Sequence, residues 1–196
     1  MADISATMVN ELRAKTGVGL MDCKRALVES NGDQTAAAEW LRKKGIASAV
    51  KKADRAAKEG TITSYIHLGG KVGVLIEVNC ETDFVAKTEE FQTLARDLCM
   101  QIAAASPLFV ARENAPAELI AKEKEIAEAQ VVGKPAPAVE KIVQGKIDKW
   151  YGTVCLLEQP FVRDQNKTVK EFISEAIART GENIVVRRFV RYAIGD

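Results

Sequence analysis

Apolar residues occupy every second position in one segment of the chain, at Val72, Val74, Ile76 and Val78. A period of two predicts a β-strand with one buried face. Residues 61–68 alternate in the same way, and the Gly-Gly pair that follows them suits a tight turn. We therefore predict a β-hairpin.

Residues 3–45 show helical spacing, in three short segments separated by glycine-containing turns. Their predicted inward faces are Val9 and Leu12, then Cys23, Ala26 and Leu27, then Ala37, Trp40 and Leu41. We expect Gly45 to end the third helix. Helices this short are unstable alone, so their packing against one another must supply the stability. Leu20 and Met21 stand at the glycine turn, where they either staple the second helix or contact a partner.

Helical spacing returns after the hairpin. We predict a long helix from Thr88 to just before Pro107, with an apolar stripe that lies across the sheet. A charged helix begins at Pro116 and ends near Gly133, and two short helical segments follow at residues 139–144 and 147–151. Another helix follows Thr168, and the chain closes on a strand over residues 183–194. Ile184, Val186, Val190 and Ile194 would form one apolar face of that strand.

These patterns predict an α+β protein. A UBA-like three-helix domain, similar to the small domains that bind ubiquitin, covers residues 1–50. A helical linker covers residues 51–59. An antiparallel sheet with helices packed on it covers residues 60–196 and forms the core and dimerisation domain.

The segment directly after the second strand contains Glu81, Thr82, Asp83, Phe84 and Val85. Its acidic and hydroxyl side chains are suited to capping the next helical turn. A large aromatic residue at such a corner has two interpretations. It folds back into its own core, which is the commoner case, or it stands exposed as a wedge for a partner, beside the carboxylate of Asp83.

The 28 basic and 27 acidic residues almost cancel. This balance argues against a protein that mainly coats nucleic acid or a membrane surface. The basic run at residues 51–58 has no interleaved aromatic residue, so we interpret it as a solvated linker. The four cysteines are scattered, which is typical of reduced thiols, and no stretch is apolar enough to span a bilayer. We therefore expect a cytoplasmic protein.

The sequence contains no catalytic constellation. His67 is the one histidine, no cysteines are paired, and neither nucleotide-binding glycine motif is present. We expect no metal, cofactor or directly bound nucleotide. A hydrolase built on His67, Glu77 and Asp83 is the weakest hypothesis. A binding protein, not an enzyme, is the favoured one.

Four motifs carry a resemblance to a known family. They are residues 16–27 (TGVGLMDCKRAL), 79–86 (NCETDFVA), 159–162 (QPFV) and 181–188 (GENIVVRR). The chain resembles elongation factor Ts over essentially its whole length. That family is the guanine-nucleotide exchange factor of bacterial-type translation.

The resemblance implies partner-binding residues. The three-helix unit would contact the GTPase domain of elongation factor Tu, bound to GDP or nucleotide-free, through Leu20 and Met21, with Arg13 nearby. The corner residues Thr82–Val85 would form the second contact. There Asp83 and Phe84 would enter between helices of the partner and disturb its phosphate loop and magnesium site.

Longer family members carry two hairpin-and-helix modules, whereas this chain has only one, over residues 60–107. The resemblance therefore implies the short type, in which two chains pair through their sheets as a homodimer. The alternative hypothesis is a ubiquitin-like or helix-binding adaptor that uses residues 3–45, with the rest as a dimerisation domain.

Overall fold

The computed structural model describes residues 4–131 and 135–195. The helices are α1 (Ala6–Thr16), α2 (Leu20–Glu29), α3 (Gln34–Lys52), α4 (Asp83–Ala86), α5 (Glu89–Ala105), α6 (Ala117–Ala129), α7 (Ala136–Val154) and α8 (Val169–Thr180). The strands are β1 (Glu59–Ile66), β2 (Val72–Cys80), β3 (Pro160–Phe161), β4 (Asp164–Thr168) and β5 (Val185–Ala193). The predicted α+β class is confirmed. Within the described residues, no helix has the length and apolar character needed to cross a membrane.

The chain forms two compact units, each built from segments that are separated in sequence. The first unit contains Met1–Thr61, Asn79–Leu94 and Glu171–Val185. The second unit contains Ile62–Val78, Ala95–Lys170 and Val186–Asp196. The division into residues 1–50, 51–59 and 60–196 stays a prediction.

Helices α1, α2 and α3 pack around one apolar cluster in the first unit. Its buried members are Val9, Leu12, Cys23, Ala26, Leu27, Ala37 and Leu41. The carboxylate of Asp33 caps α3 by accepting hydrogen bonds from the N–H groups of Thr35 and Ala36, at 2.8 and 2.9 Å. The predicted inward faces are confirmed, although Trp40 is only partly buried. The likeness to UBA domains stays a prediction.

Gly45 does not end α3, contrary to the sequence-based expectation. The helix continues to Lys52, and Gly45 is buried inside it. A Cβ atom at Gly45 would lie 3.4 Å from the Cβ of Ala178 on α8 and 3.8 Å from the carbonyl oxygen of Ser174. The glycine therefore serves the close approach of α8, and tertiary packing offsets its low helix propensity.

The central sheet of the second unit has the strand order β1-β2-β5. The predicted hairpin is confirmed, since the N–H of His67 donates to the carbonyl of Val72 at 2.8 Å. The N–H of Ile194 donates to the carbonyl of Lys71 at 2.9 Å, so the end of β5 lies beside the start of β2. The two strands are therefore antiparallel.

Helix α5 covers one face of this sheet within the second unit. Val74, Ile76 and Val78 of β2 are buried, as is Leu98 of α5. The Cys99 thiol lies 3.8 Å from the Thr63 carbonyl oxygen on β1. The expectation that the apolar stripe of this helix lies across the sheet is confirmed here.

A buried amide connects α5 to the small antiparallel pair β3–β4, which the hydrophobic pattern did not predict. Gln101 is fully buried, and its Nε2 donates to Gln159 Oε1 at 3.1 Å and to the Pro160 carbonyl at 3.2 Å. Its Oε1 accepts from the N–H of Val162 at 2.8 Å. The amide therefore has partners on both ends, as burial requires.

Helices α6 and α7 form a helical hairpin. Their shared cluster contains Ala127, Val131, Val143, Ile147, Tyr151, Val154 and Cys155. The two predicted short helices are therefore one helix, α7, which continues through Gly145 because its apolar stripe packs on α6. Gly133, where we expected the preceding helix to end, lies outside the described residues.

Two glycine substitutions should have opposite effects on stability. Gly145→Ala should raise the free energy of unfolding by about 0.5–1 kcal/mol, because a Cβ at this helical position meets no atom within 4 Å. Gly45→Leu should lower it by about 1–3 kcal/mol, because the new side chain meets α8. Urea unfolding followed by circular dichroism measures both. A Gly45→Leu protein as stable as the parent would contradict the packing argument.

Candidate interaction site

The corner between β2 and α4 presents an aromatic side chain to solvent. Thr82 is the N-cap of α4, and its hydroxyl oxygen accepts from the N–H of Val85 at 3.4 Å. Ala86 points inward and is buried, whereas Phe84 is 80% exposed. The interpretation that Phe84 folds into its own core is therefore wrong. This aromatic ring is available to a partner.

Asp83 and Lys87 form an ion pair on the same turn, with 2.6 Å between Oδ2 and Nζ. The hydrogen bond from Lys87 lowers the pKa of the Asp83 carboxyl below its ordinary value. Asp83 is consequently ionised at neutral pH. Lys87 is largely exposed and Asp83 is about half exposed, so this pair is screened by salt and contributes little to folding stability.

A carboxylate from a distant part of the first unit holds the corner in place. Glu182 lies between α8 and β5. Its Oε2 accepts from the N–H groups of Glu81 and Thr82, at 3.1 and 3.0 Å. Its Oε1 accepts from the Thr82 hydroxyl at 2.6 Å. One side chain therefore satisfies three donors of the segment that precedes Phe84.

The neighbouring residues form the reverse connection. Glu81 Oε1 accepts from the N–H of Asn183 at 2.6 Å and lies 3.5 Å from Arg55 Nη1. Asn183 is buried, and its Nδ2 donates to the carbonyls of Ala53 and Arg55, at 3.3 and 2.9 Å. One hydrogen-bond network thus joins the corner to the residues just before β5 and to the residues just after α3.

The glycine turn before α2 also presents apolar side chains. Leu20 and Met21 are exposed, with Met21 at 68%, and Arg13 on α1 is exposed as well. Leu20 and Met21 therefore do not belong to the buried cluster of α1–α3. The turn itself depends on Gly17, whose φ of 68° is left-handed. A Cβ there would lie 2.7 Å from Cδ of Arg179, whose guanidinium pairs with Glu90 at the start of α5.

The second unit has an apolar surface of its own, on the sheet face opposite α5. We call it the outer face, and its exposed apolar members are Ile62, Ile66, Leu75, Val190 and Tyr192. A shallow depression of about 300 Å³ there is lined by Ile62, Leu75 and Val190, among others.

The predicted apolar face of the last strand needs correction. Ile184 and Val186 are buried, but Val190 and Ile194 are exposed. The alternation of exposure breaks at Arg187 and Arg188, which are both exposed. Val190 consequently belongs to the outer face, not to the core side of the strand.

The residues of the hydrolase hypothesis have other partners. His67 Nδ1 lies 2.9 Å from the Tyr65 hydroxyl, Glu77 pairs with Arg188 at 2.7 Å, and Asp83 pairs with Lys87. In the part of the chain that the structure describes, no cluster of three or more His, Cys, Asp or Glu side chains could hold a metal ion.

Sequence reasoning missed the contribution of Glu182 to this site. Glu182 lies in the motif over residues 181–188, and the sequence pattern gives this residue no role. The available signal was local. Glu182 follows Gly181, the glycine after the predicted helix, and comes shortly before the apolar run that begins at Ile184. A charged side chain next to a buried run needs a polar partner.

Comparisons with known proteins agree on one family. The family model described as "Elongation factor TS" matches residues 34–196. A relative named "Elongation factor Ts" from Desulforamulus reducens is 60% identical over 198 residues, covering 100% of this chain and 91% of the relative. Relatives of the same name from Geobacter sulfurreducens and Moorella thermoacetica are each 57% identical over 195 residues. These two alignments cover 98% of this chain and 90% and 96% of the relatives.

The thiols of the folded protein should resist alkylation. All four cysteines are buried, and burial raises the pKa of Cys80, Cys99 and Cys155 to about 11. Because the thiolate is the reactive form, iodoacetamide at pH 8 should label the native protein far more slowly than the guanidinium-unfolded protein. Mass spectrometry measures the labelling. A cysteine labelled equally fast in both states would contradict its burial.

Proposed function

Because the chain belongs to the elongation factor Ts family, and is thus a translation elongation factor, we propose that it is the guanine-nucleotide exchange factor for elongation factor Tu. It binds the partner in its GDP-bound and nucleotide-free states and promotes the release of GDP. It works in the cytoplasm, where bacterial-type translation takes place. The observation that carries this proposal is the exposed ring of Phe84 at a corner fixed by hydrogen bonds.

Phe84 acts as a wedge between helices of the partner. An aromatic ring left in water has a large apolar area to bury on binding, and such side chains often dominate interface energies. The wedge fits a conformation of the partner that GDP disfavours. Linkage then requires that the factor weaken GDP binding and that GDP weaken the factor's binding by the same amount.

Asp83 supplies the charge beside the wedge. Its carboxylate is ionised, and its exposed ion pair with Lys87 can be exchanged for a contact on the partner at little cost. Thr82 and Val85 shape the corner through the cap of α4. Near the partner's magnesium site, a negative charge competes with the groups that bind the ion and the phosphates.

Leu20 and Met21 form a second contact, with the GTPase domain of the partner, and Arg13 lies on the neighbouring helix α1. Exposed Leu and Met side chains at the start of α2 support this role, because an unbranched thioether adapts well to a partner surface. With two separate contacts on the first unit, the affinity of the factor for the partner does not depend on the wedge alone.

The factor acts as a homodimer in which two chains pair through the outer faces of their sheets. The exposed apolar side chains of Ile62, Leu75 and Val190 support this arrangement, because pairing two outer faces would bury these side chains away from water. The paired sheets would then resemble a sandwich, with each chain presenting its own Phe84.

Removing the wedge should abolish most of the exchange activity. Phe84→Ala should slow GDP release from elongation factor Tu by at least about tenfold, equivalent to about 1.4 kcal/mol of lost transition-state binding. Stopped-flow release of a fluorescent GDP analogue measures the rate. Val50→Ala is the matched control, because it removes an exposed apolar side chain from α3 of the same unit. Equal rates for the Phe84→Ala and parent proteins would refute the wedge.

A charge on the outer face should separate the dimer. Sedimentation equilibrium should give the parent protein twice the 21.4 kDa mass of the chain. Ile62→Glu should shift the mass to that of the monomer. Dimer formation would then bury one glutamate carboxylate from each chain, and removing these charges from water is costly. Leu119→Glu, a charge at an exposed apolar position on α6, should leave the dimer intact. A monomeric parent would exclude the homodimer.

A further inference from the structure

The position of Phe84 is not explained by its own helix. Helix α4 has four residues, and only Ala86 of these is buried. A single helical turn is unstable by itself, and an exposed ring cannot fix its own direction through packing. The direction of the wedge must therefore come from groups that hold the segment before it.

Those groups are the two carboxylates of a reciprocal arrangement, which we call the carboxylate clamp. Glu182 accepts from the main-chain N–H groups of Glu81 and Thr82. Glu81 in turn accepts from the main-chain N–H of Asn183 at 2.6 Å. Each of the two segments is thus held by a side chain of the other, through charge-assisted hydrogen bonds, which are among the stronger ones in proteins.

The Thr82 hydroxyl transmits this order to α4. Its proton points to Glu182 Oε1, 2.6 Å away, so its oxygen lone pairs remain free to accept from the N–H of Val85. Without Glu182 the hydroxyl could rotate, and the cap of α4 would lose its fixed orientation. Phe84 lies between Thr82 and Val85 in sequence. The orientation of its backbone follows from theirs.

We propose that Glu182 is a positioning residue for nucleotide exchange, which fixes the backbone of Glu81 and Thr82 so that Phe84 points to the partner before binding. This role rests on the proposed function. In this role Glu182 acts through the corner and not through a contact of its own with the partner. It lowers the ordering cost of inserting the wedge within the bound complex, because the wedge is already in its binding orientation.

The test combines Glu182→Gln with Phe84→Ala. The amide introduced by the first substitution has one accepting oxygen where the carboxylate has two, so it cannot satisfy all three donors. Glu182→Gln should reduce the maximal rate of GDP release, at saturating factor, by about tenfold, and in the Phe84→Ala background by less than about twofold. Thr82→Val, which replaces the hydroxyl with a methyl group, should show the same dependence on Phe84.

Hydrogen exchange supplies a readout that does not depend on the partner. The main-chain amides of Glu81 and Thr82 should exchange about tenfold faster in Glu182→Gln than in the parent, while the amides of α2 stay unchanged. Glu29→Gln, at the exposed end of α2, is the matched control for loss of one carboxylate and should affect neither measurement. If Glu182→Gln fails to fold, Thr82→Val carries the same comparison.

The outcomes separate the two proposals. Equal GDP release by the parent and Phe84→Ala would overturn the proposed function, whatever Glu182 does. If Phe84→Ala is slow but Glu182→Gln is as fast as the parent, only the positioning role is overturned. It is also overturned if Glu182→Gln slows release equally with and without Phe84, because a general structural defect acts in that way.

Discussion

A strand that turns directly into a short helix leaves main-chain N–H groups with no partner inside either element. These donors need acceptors wherever water has poor access, and here the acceptors are the carboxylates of Glu182 and Glu81. The carboxylate of Glu182 lies 101 residues away in sequence from the first amide that it binds. The corner therefore has a defined shape only when β2 and the residues after α8 are together. Everything proposed for Phe84 depends on this condition.

The protein keeps several apolar side chains in water. Phe84, Met21 and the outer-face residues Ile62 and Tyr192 are all more than half exposed. Each loses the stabilisation that burial would give, about 25 cal/mol per Å² of apolar surface. A monomer does not need such surfaces for its own stability. Exposed apolar surfaces of this kind are typical of proteins that bind other macromolecules, as the proposed exchange factor does.

Local patterns predicted much of this fold. The inward faces of α1–α3, the hairpin β1–β2 and the stripe of α5 follow from periodicity, since burial on one side is a property of neighbouring residues in sequence. Other features did not follow, and three of them show the physical reason. Gly45 does not end its helix because it packs on α8, which is distant in sequence. Helix α7 continues through Gly145 because its apolar stripe packs on α6, and a local pattern does not show this contact. The clamp was missed because hydrogen bonds between residues 81 and 182 leave no periodic signal.

The two units also constrain the order in which the protein can mature on the ribosome. Helices α1–α3 are made before residues 171–185, which complete their unit. Glu182 is translated 101 residues after Glu81, and contacts of such long sequence separation form slowly. A nascent chain would therefore lack an oriented wedge until Glu182 has left the ribosome. Chains that stop before this residue would not present the proposed wedge in its binding orientation.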